Sequence, residues 1–387
     1  MTALLIALVL AFVVQAAGWA WVSVGLNRVR DLGSPASPEA SGVALSVVVA
    51  AHDEAANIGA LLDALAAQTH RPFEVVLVDD RSTDATADLV RQRQAGFPVP
   101  LRLVHISSGD APTSAPALPE PLAPEAAIPL PPKKNALTRG IQAASHDRLA
   151  FTDADCRPPP GWLAALARFA EAAPEAVLVG YGPLAGSGWL GRFVRYETAL
   201  TAALSIGAIG HGKAWHAVGR NLSYPRGLWR ELGGFAPHAL SLGGDDDLFV
   251  QDAARAGAEV RYVTAPEAFV PSAAPATWPR FWRQRRRHAA AGAHYPSRLL
   301  AALGAMQISG LILWIGAPLL HVAFGVPWGW GLLAARTVLQ RGVLSTAWDL
   351  LGAEADVRLW HPVLDAMLAG YHAVAAVLGV LPTPKRW

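Results

Sequence analysis

The fold is decided by ALSVVVAAHDEAANIGALLDALAAQTHRPFEVVLVDD, residues 44–80. This stretch opens with a strand-like run over 44–51 that contains three consecutive β-branched valines. It continues with apolar residues at helical spacing and ends in a second strand-like run over 73–80. The strand pattern returns in LRLVHI (101–106) and in RLAFTDAD (148–155). Alternating strands and helices predict an α/β fold with a mostly parallel central sheet. Such sheets bind ligands beyond the carboxyl ends of their strands.

Acidic residues form three clusters, two of which follow predicted strands. The clusters are Asp79-Asp80, Asp153-Ala154-Asp155 and, behind a Gly243-Gly244 turn, Asp245-Asp246-Asp247. Two carboxylates on one loop at a strand end supply the hard oxygen ligands that suit Mg2+ or Mn2+ bound to a diphosphate. The third cluster is a candidate proton acceptor. It also fits a helix N-terminus whose carboxylates complement the helix dipole, and the two interpretations are compatible.

A lysine pair, Lys133-Lys134, opens a helical pattern that runs through Gln142. A lysine at a helix start near the ligand edge of the sheet can bind a phosphate. A solvated lysine pair is the alternative interpretation. The pair follows a Pro- and Ala-rich stretch over 107–132 without hydrophobic periodicity, which predicts a flexible insertion.

The N-terminal segment predicts a membrane anchor. Residues from Ala3 to Val24 are apolar except for Gln15 and Ser23, and this run is long enough to cross a bilayer at about 20 residues per span. Arg28 and Arg30 follow this run, whereas a cleaved signal peptide carries its basic residues before it. We therefore expect a retained anchor with its N-terminus outside and the following residues in the cytosol.

The C-terminal third predicts two or three further spans. The apolar stretches 299–324 and 362–381 are both candidates. The stretch 328–351 contains Arg336 and Arg341, and a central arginine costs at least about 2.5 kcal/mol in lipid. The sequence leaves open whether this stretch crosses the membrane.

Composition therefore divides the chain into four regions. They are an N-terminal transmembrane anchor (1–27), a cytosolic catalytic domain (42–275) with the insertion at 107–132, an interfacial amphipathic segment (276–297) and a C-terminal membrane region (298–387). The formal net charge of +2 gives no reason to expect a nucleic-acid partner. The single cysteine, Cys156, excludes an intramolecular disulfide and a multi-cysteine zinc site.

The motifs taken together resemble the membrane-bound inverting glycosyltransferases of family 2. The resemblance runs from about Leu45 to His294, and it implies the GT-A fold of nucleotide-diphospho-sugar transferases with transmembrane helices at both ends. It rests on VVVAAHDEAANI, VDDRSTDAT, KKNALTRGI, FTDAD, GGDDDLF and the segment from Gln284 to His288. The family usually has Gln-x-x-Arg-Trp in that last segment. Here His288 replaces the tryptophan, while Gln284 and Arg287 are in place.

The resemblance also implies a role for each motif. Asp155, together with Asp153, is expected to hold Mg2+ or Mn2+, and Asp246, with Asp245 beside it, is expected to be the catalytic base. Asn221 and Trp229 are expected on the acceptor side, although an isolated tryptophan more often packs in a core. Contacts to a UDP- or GDP-linked sugar are expected from His52, Glu54, Asp79, Asp80, Lys133, Asp153, Gln284 and Arg287.

The segment WPRFWRQRRRHAAAG (278–292) combines aromatic and basic residues. That mixture predicts a helix at the lipid headgroups. We expect Phe281 and Trp282 at the interface, and Gln284 and Arg287 toward the active site. A purely electrostatic membrane patch is the alternative.

The sequence thus predicts a multi-pass enzyme of the cytoplasmic membrane with its catalytic domain on the cytosolic side. It would transfer a sugar by a single direct displacement to a membrane-embedded or lipid-linked acceptor. A processive polysaccharide synthase is one alternative, and a non-catalytic, membrane-anchored sugar-nucleotide binding protein or scaffold is another. The donor base, the sugar and the acceptor stay open.

Overall fold

The computed structural model describes residues 1–35, 41–107, 109–110, 129–292 and 294–378, without the side chains of 287–291 and 376–378. Most of the predicted insertion at 107–132 and the end of the predicted membrane region at 298–387 therefore lie outside the described residues.

The described chain contains strands of two to eight residues. They are β1 (Leu45–Ala51), β2 (Phe73–Asp80), β3 (Leu101–Ile106), β4 (Arg148–Phe151), β5 (Val177–Gly180), β6 (Leu184–Ala185), β7 (Leu222–Pro225), β8 (Val260–Val263) and β9 (Ser272–Ala273).

The α-helices range from one turn to more than thirty residues. They are α1 (Thr2–Leu32), α2 (Ile58–Ala66), α3 (Thr86–Gln94), α4 (Pro132–Ala143), α5 (Trp162–Ala172), α6 (Gly188–Ile209), α7 (Arg226–Glu231), α8 (Asp247–Arg255), α9 (Trp278–Gly292), α10 (Ser297–Phe324), α11 (Trp328–Leu351), α12 (Ala355–Leu359) and α13 (His361–Leu378).

The chain divides into two compact units. The sheet unit contains residues 33–184 and 212–273, and the helical unit contains residues 1–32, 185–211 and 274–387. Helix α6 therefore belongs with the apolar helices from the two ends of the chain, although it lies in the middle of the sequence. The sequence pattern does not predict this placement of α6. The predicted boundaries of the four regions stay a prediction.

The sheet unit is built on seven strands in the order β3-β2-β1-β4-β7-β5-β8. Strands β1, β2, β3 and β4 are parallel, and β7 runs antiparallel between β4 and β5. Both β1 and β2 are buried almost throughout, as expected for strands covered on both faces. The predicted alternation, the mostly parallel sheet and the first four strands are confirmed.

The strand directions bring several loops to one edge. Strands β1, β2 and β4 end there at Ala51, Asp80 and Phe151. The antiparallel strand β7 begins at the same edge, because Leu222 pairs with Phe151. The segments that follow β1, β2 and β4, and the one that precedes β7, therefore meet at this edge.

Two helices of the helical unit, Thr2–Leu32 and Ser297–Phe324, are long and apolar enough to cross a bilayer. Helices α1 and α10 pack together through Leu8, Leu313, Ala317 and Leu320. Helix α11 forms as one continuous helix, and its Arg336 is buried.

Candidate active site

Lys133 joins two of the predicted acidic clusters. Its Nζ lies 3.2 Å from Asp153 Oδ1 and 3.1 Å from Asp245 Oδ2. Lys133 stands in the first turn of α4, which begins at Pro132, a residue favoured at the first position of a helix. Residues that are 112 positions apart in the chain, counted from Lys133 to Asp245, thus share one cluster. The predicted phosphate contact of Lys133 stays a prediction, but the lysine does lie at the ligand edge.

Asp246 caps helix α8, as the helix N-terminus interpretation predicted. One carboxylate oxygen, Oδ1, accepts a hydrogen bond from the backbone N–H of Asp247 at 2.8 Å. The other, Oδ2, accepts from the backbone N–H of Gly219 at 2.8 Å. The turn before the cluster needs a glycine, because Gly244 has φ +84°. Asp246 is thereby held in a fixed orientation beside Lys133 and Asp245.

The charges of this cluster act on one another strongly. Burial alone lowers the pKa of Lys133, but Asp153, Asp245 and Asp246 outweigh burial, so that its pKa is raised. Burial raises the pKa of Asp245, and Lys133 opposes that shift. Glu54 belongs to the same electrostatic neighbourhood, because burial and then Asp155 and Asp153 raise its pKa.

A small cavity opens beside the cluster. Its polar wall contains Lys133, Thr152, Asp153, Gly219 and Asp245. Its apolar wall contains Ala50, Leu137, Phe151, Leu222 and Tyr224. Thr152 Oγ1 is buried without a hydrogen-bond partner in the described part of the chain. Thr152 and Gly219 were not predicted as site residues: Thr152 could have been suspected from its place directly before Asp153, whereas Gly219 acts through its backbone.

The predicted metal residues form a suitable ligand group. Side-chain atoms of Asp153, Asp155 and Cys156 lie within 4.8 Å of one another. The two carboxylates supply the hard oxygen ligands that Mg2+ or Mn2+ prefers. Cys156 is buried, and burial raises the pKa of its thiol, so the thiol stays protonated and does not suit a hard cation. Asp153 and Asp155 are therefore the residues that fit a divalent ion.

The loop after β1 and the loop after β2 are tied together. The backbone N–H of Glu54 donates to Thr86 Oγ1 at 2.8 Å, and the carboxylate of Asp53 accepts from the N–H of Thr83 at 2.7 Å. His52 is exposed, and its Nδ1 donates to the carbonyl oxygen of Asp80 at 2.7 Å. These contacts place His52 and Glu54 at the ligand edge, where the predicted nucleotide contacts require them.

The carboxylates of Asp79 and Asp80 both interact with neighbouring side chains. Asp79 is fully buried and its Oδ2 lies 2.7 Å from His105 Nδ1, while Asp79 Oδ1 has no partner within the described ranges. Asp80 receives both a 2.8 Å and a 3.1 Å hydrogen bond from the guanidinium of Arg81. Their predicted nucleotide contacts stay a prediction, and Asp80 would have to share its carboxylate with Arg81.

Asn221 and Trp229 are core residues in this structure. Asn221 is fully buried, its Nδ2 donates to the carbonyls of Tyr181 and Ala268 at 2.8 and 2.7 Å, and its Oδ1 accepts from Trp162 Nε1 at 2.9 Å. Trp229 is 2% exposed and packs edge-on against Phe235. Their burial argues against the predicted acceptor-side role, since neither offers a surface to an acceptor.

Helix α9 differs from its predicted orientation in one respect. Phe281 is fully buried, with its ring centroid 5.9 Å from that of Phe193 and 5.7 Å from that of Tyr371. It therefore contacts neighbouring helices and not lipid, which corrects the prediction for this residue. Gln284 is half-buried in α9, within the helical unit. The side chain of Arg287 lies outside the described residues.

Two family models match the sequence. The model of glycosyl transferase family group 2 matches residues 149–368, and that of glycosyl transferase family 2 matches residues 46–115. The first match alone spans more than half of the chain. The protein therefore belongs to glycosyl transferase family group 2, and it is a transferase. Comparison with curated proteins gives no match.

The fold is similar to that of a mannosyltransferase from Pyrobaculum calidifontis, solved in complex with GDP-Man and Mn2+. The two have a TM-score of 0.54 and 19% sequence identity, covering 97% of this chain and 100% of that one. More distant similarities include S. aureus TarS 1–349, with a TM-score of 0.43, 17% identity and coverage of 87% and 92%. Glucosyl-3-phosphoglycerate synthase from Mycobacterium tuberculosis, in complex with Mn2+, UDP-glucose and phosphoglyceric acid, gives a TM-score of 0.41, 19% identity and coverage of 64% and 78%. At this level of identity the similarity supports the GT-A fold and no more.

Proposed function

We propose that this protein transfers a sugar, with inversion, from a nucleoside-diphosphate sugar to a hydroxyl of a membrane lipid or lipid-linked acceptor. The observation that carries the proposal is the position of Lys133 between Asp153 and Asp245. This position brings the predicted metal motif, a phosphate-binding cation and the predicted base motif to one cavity. Each of the three has a separate task in a displacement at the anomeric carbon.

The reaction needs one base and a stabilised leaving group. The acceptor hydroxyl oxygen forms the new bond to the anomeric carbon, the bond from that carbon to the phosphate oxygen breaks, and the nucleoside diphosphate leaves with the electron pair. Asp246 takes the proton of the hydroxyl. Lys133 balances negative charge on the departing diphosphate. A divalent ion held by Asp153 and Asp155 would supply further neutralisation of that charge.

Lipid is the proposed acceptor class because of the organisation of the chain. The sheet unit lies in the sequence between two helices that are long and apolar enough to cross a bilayer. An enzyme anchored in this way meets membrane-embedded hydroxyls at a high effective concentration. We place the sheet unit on the cytosolic side, because Arg28 and Arg30 follow the first apolar segment.

Donor binding tests the first part of the proposal. We expect a GDP- or UDP-linked sugar, screened as a panel with Mn2+, to raise the melting temperature of the detergent-solubilised protein, because a ligand stabilises the state that binds it. Asp155→Asn should remove the Mn2+-dependent part of this shift. Asp88→Asn, at an exposed residue paired with Arg91, is the matched control and should keep it. A panel without any stabilising donor would contradict the proposal.

Product analysis tests the acceptor. Wild-type protein is incubated with a radiolabelled donor and a total membrane lipid extract, and the products are extracted with organic solvent. A discrete organic-soluble product supports transfer to lipid. A ladder of long chains would show a processive polysaccharide synthase instead.

A further inference from the structure

Two exposed leucines mark the loop that leads to the base motif. Leu240 is 80% exposed and Leu242 is 40% exposed. All other exposed large apolar side chains of the described chain lie in the helical unit. Among its described residues, the sheet unit thus exposes large apolar side chains in one place, residues 239–244, directly before Asp245.

This loop is held firmly from the interior by Lys134. The side chain of Lys134 is fully buried, and its Nζ donates to the carbonyl oxygens of His238 and Ser241 at 2.7 and 2.9 Å. A buried ammonium group is costly unless it is hydrogen-bonded, so these two contacts fix the backbone on both sides of Leu240. The imidazole of His238 also lies 2.5 Å from Asp252 Oδ2 in α8. The alternative interpretation of a solvated lysine pair is therefore wrong for Lys134.

The loop lies within reach of the reacting hydroxyl. Leu242 is four residues before Asp246, so their Cα atoms are at most about 14 Å apart. A lipid acceptor that gives its hydroxyl proton to Asp246 has to carry its hydrocarbon chain away from the cavity. A rigid loop that presents leucines to solvent next to the base offers that chain an apolar contact without first having to be ordered.

We propose that residues 239–244 form an acceptor loop, in which Leu240 and Leu242 contact the hydrocarbon chain of the lipid acceptor and Lys134 is a positioning residue. This inference rests on the proposed function. Leu240 and Leu242 lie outside the motifs that carry the family resemblance, which begin again at Gly243.

Kinetics in detergent micelles test the leucines. With a saturating radiolabelled donor and total membrane lipid extract as the varied substrate, Leu240→Ser combined with Leu242→Ser should raise the apparent KM for the extract by about tenfold, since the hydrophobic contact is lost. Donor-induced thermal stabilisation should not change. Leu359→Ser is the matched control, because Leu359 is a 71% exposed leucine of the helical unit, and its KM should equal that of wild type.

The outcomes show whether the two leucines contact the hydrocarbon chain of the acceptor or the bilayer. A double variant with the wild-type KM would overturn the proposal. A loss of activity in reconstituted vesicles but not in micelles would also overturn it, because the leucines would then contact the bilayer. If wild type binds a donor but forms no lipid product, the proposed acceptor class fails, and the acceptor loop fails with it. That result is distinguishable from an active wild type with insensitive leucine variants.

A second set of variants tests the positioning role. Lys134→Met should lower kcat for transfer by at least tenfold and leave the KM for the donor unchanged, because it loosens the loop before the base and not the residues proposed to bind the donor. Lys134→Arg should recover part of kcat. If Lys134→Met does not fold, Lys134→Gln, which can still donate to one carbonyl, replaces it. A folded variant with the wild-type kcat would overturn the role of Lys134.

Discussion

Asp246 combines a structural task with the proposed chemical one. Both of its carboxylate oxygens accept hydrogen bonds from backbone N–H groups, and it lies beside Lys133 and Asp245. Asp246→Asn keeps the size of the side chain and one capping oxygen but cannot accept the proton. We expect kcat to fall by about 10²-fold or more, which is the usual contribution of a general base. Steady-state kinetics with labelled donor measure this, and thermal shift should show unchanged donor binding.

Asp246→Ala provides the comparison for the capping task. It removes the cap as well as the base, so it should cost about 1 kcal/mol of stability in addition to the lost activity. If Asp246→Asn kept the wild-type kcat, the base would have to be a neighbour such as Asp245.

Lys134 gives the protein a pH dependence of stability with a defined sign. Burial lowers its pKa to about 8, although Asp245, Asp247 and Asp246 act in the opposite direction. The unfolded lysine has a pKa of about 10.4. Between these values the unfolded chain holds a proton that the folded chain has released, so this lysine makes stability rise with pH across that window.

The measurement compares wild type with Lys134→Met by thermal unfolding between pH 7 and pH 10. The difference in stability should shift in favour of wild type as the pH rises above about 8. A difference that does not change with pH would mean that the folded Lys134 titrates like an exposed lysine.

Individual site residues were predictable where charged side chains stand at a strand end, behind a glycine turn or at a helix start. Asp153, the pair Asp245-Asp246 and Lys133 are the respective examples, and the structure brings them together. Asn221 shows the limit of the approach. The family resemblance implied an acceptor-side role, yet its amide joins Trp162 to two backbone carbonyls. A sequence does not distinguish a polar group that binds a ligand from one that satisfies the core.

At the scale of elements, hydrophobic pattern predicted the first four strands of the sheet and some of the helices. Strands β1 and β2 are mostly apolar, and the apolar residues of α2 follow helical spacing. The placement of α6 was not predictable in the same way. Its sequence includes arginines near its start, and no local signal indicates that it packs with α1, where Gly25 meets the backbone of Gly207. Such tertiary contacts depend on residues that are far apart in the chain.

Helix α4 carries both lysines of the site and lies very close to the sheet. A Cβ placed on Gly140 would be 2.6 Å from Val48 Cγ1 and 3.0 Å from Val78 Cγ2. Gly140→Ala gains about 1 kcal/mol in helix propensity, whereas overpacking a core typically costs about 1–3 kcal/mol. Both valines belong to central strands, so we expect the clash to dominate. The variant should melt at a lower temperature and show reduced kcat, because α4 moves together with Lys133.

Gly59→Ala is the control for this prediction. Gly59 lies in α2, and a Cβ there would have open space around it. This variant should be as stable as wild type or slightly more stable. Equal melting temperatures of the two variants would mean that α4 can shift away from the sheet to accommodate the added methyl group.

At the scale of the whole molecule, a buried polar cluster joins helices from both ends of the chain. Arg336 of α11 forms an ion pair with Asp365 of α13, and its Nε donates to Gln15 of α1 at 2.9 Å. Arg336 was the residue that made the crossing of 328–351 doubtful. Its pairing removes the cost of an isolated charge, so α11 becomes compatible with a position among the apolar helices.

Replacing one partner of this ion pair should destabilise the protein far more than replacing both. Asp365→Ala leaves a buried arginine without its counter-ion, which typically costs about 3–5 kcal/mol. Adding Arg336→Met to Asp365→Ala should recover most of that loss. Melting temperatures in detergent measure both effects. Simple additivity of the two substitutions would show that the pair is not coupled.

The orientation of the chain in a membrane can be tested by labelling introduced cysteines. Cys156 is the single cysteine of the sequence and is fully buried, so wild-type protein should not react with a maleimide while it is folded. Thr2 and Gln92 are both exposed, one at the start of α1 and one in α3 of the sheet unit. If the N-terminus is outside and the sheet unit is cytosolic, a membrane-impermeant maleimide should label Thr2→Cys in intact cells. Gln92→Cys should react only after lysis, and the reverse pattern would place the catalytic unit outside, away from cytosolic sugar nucleotides.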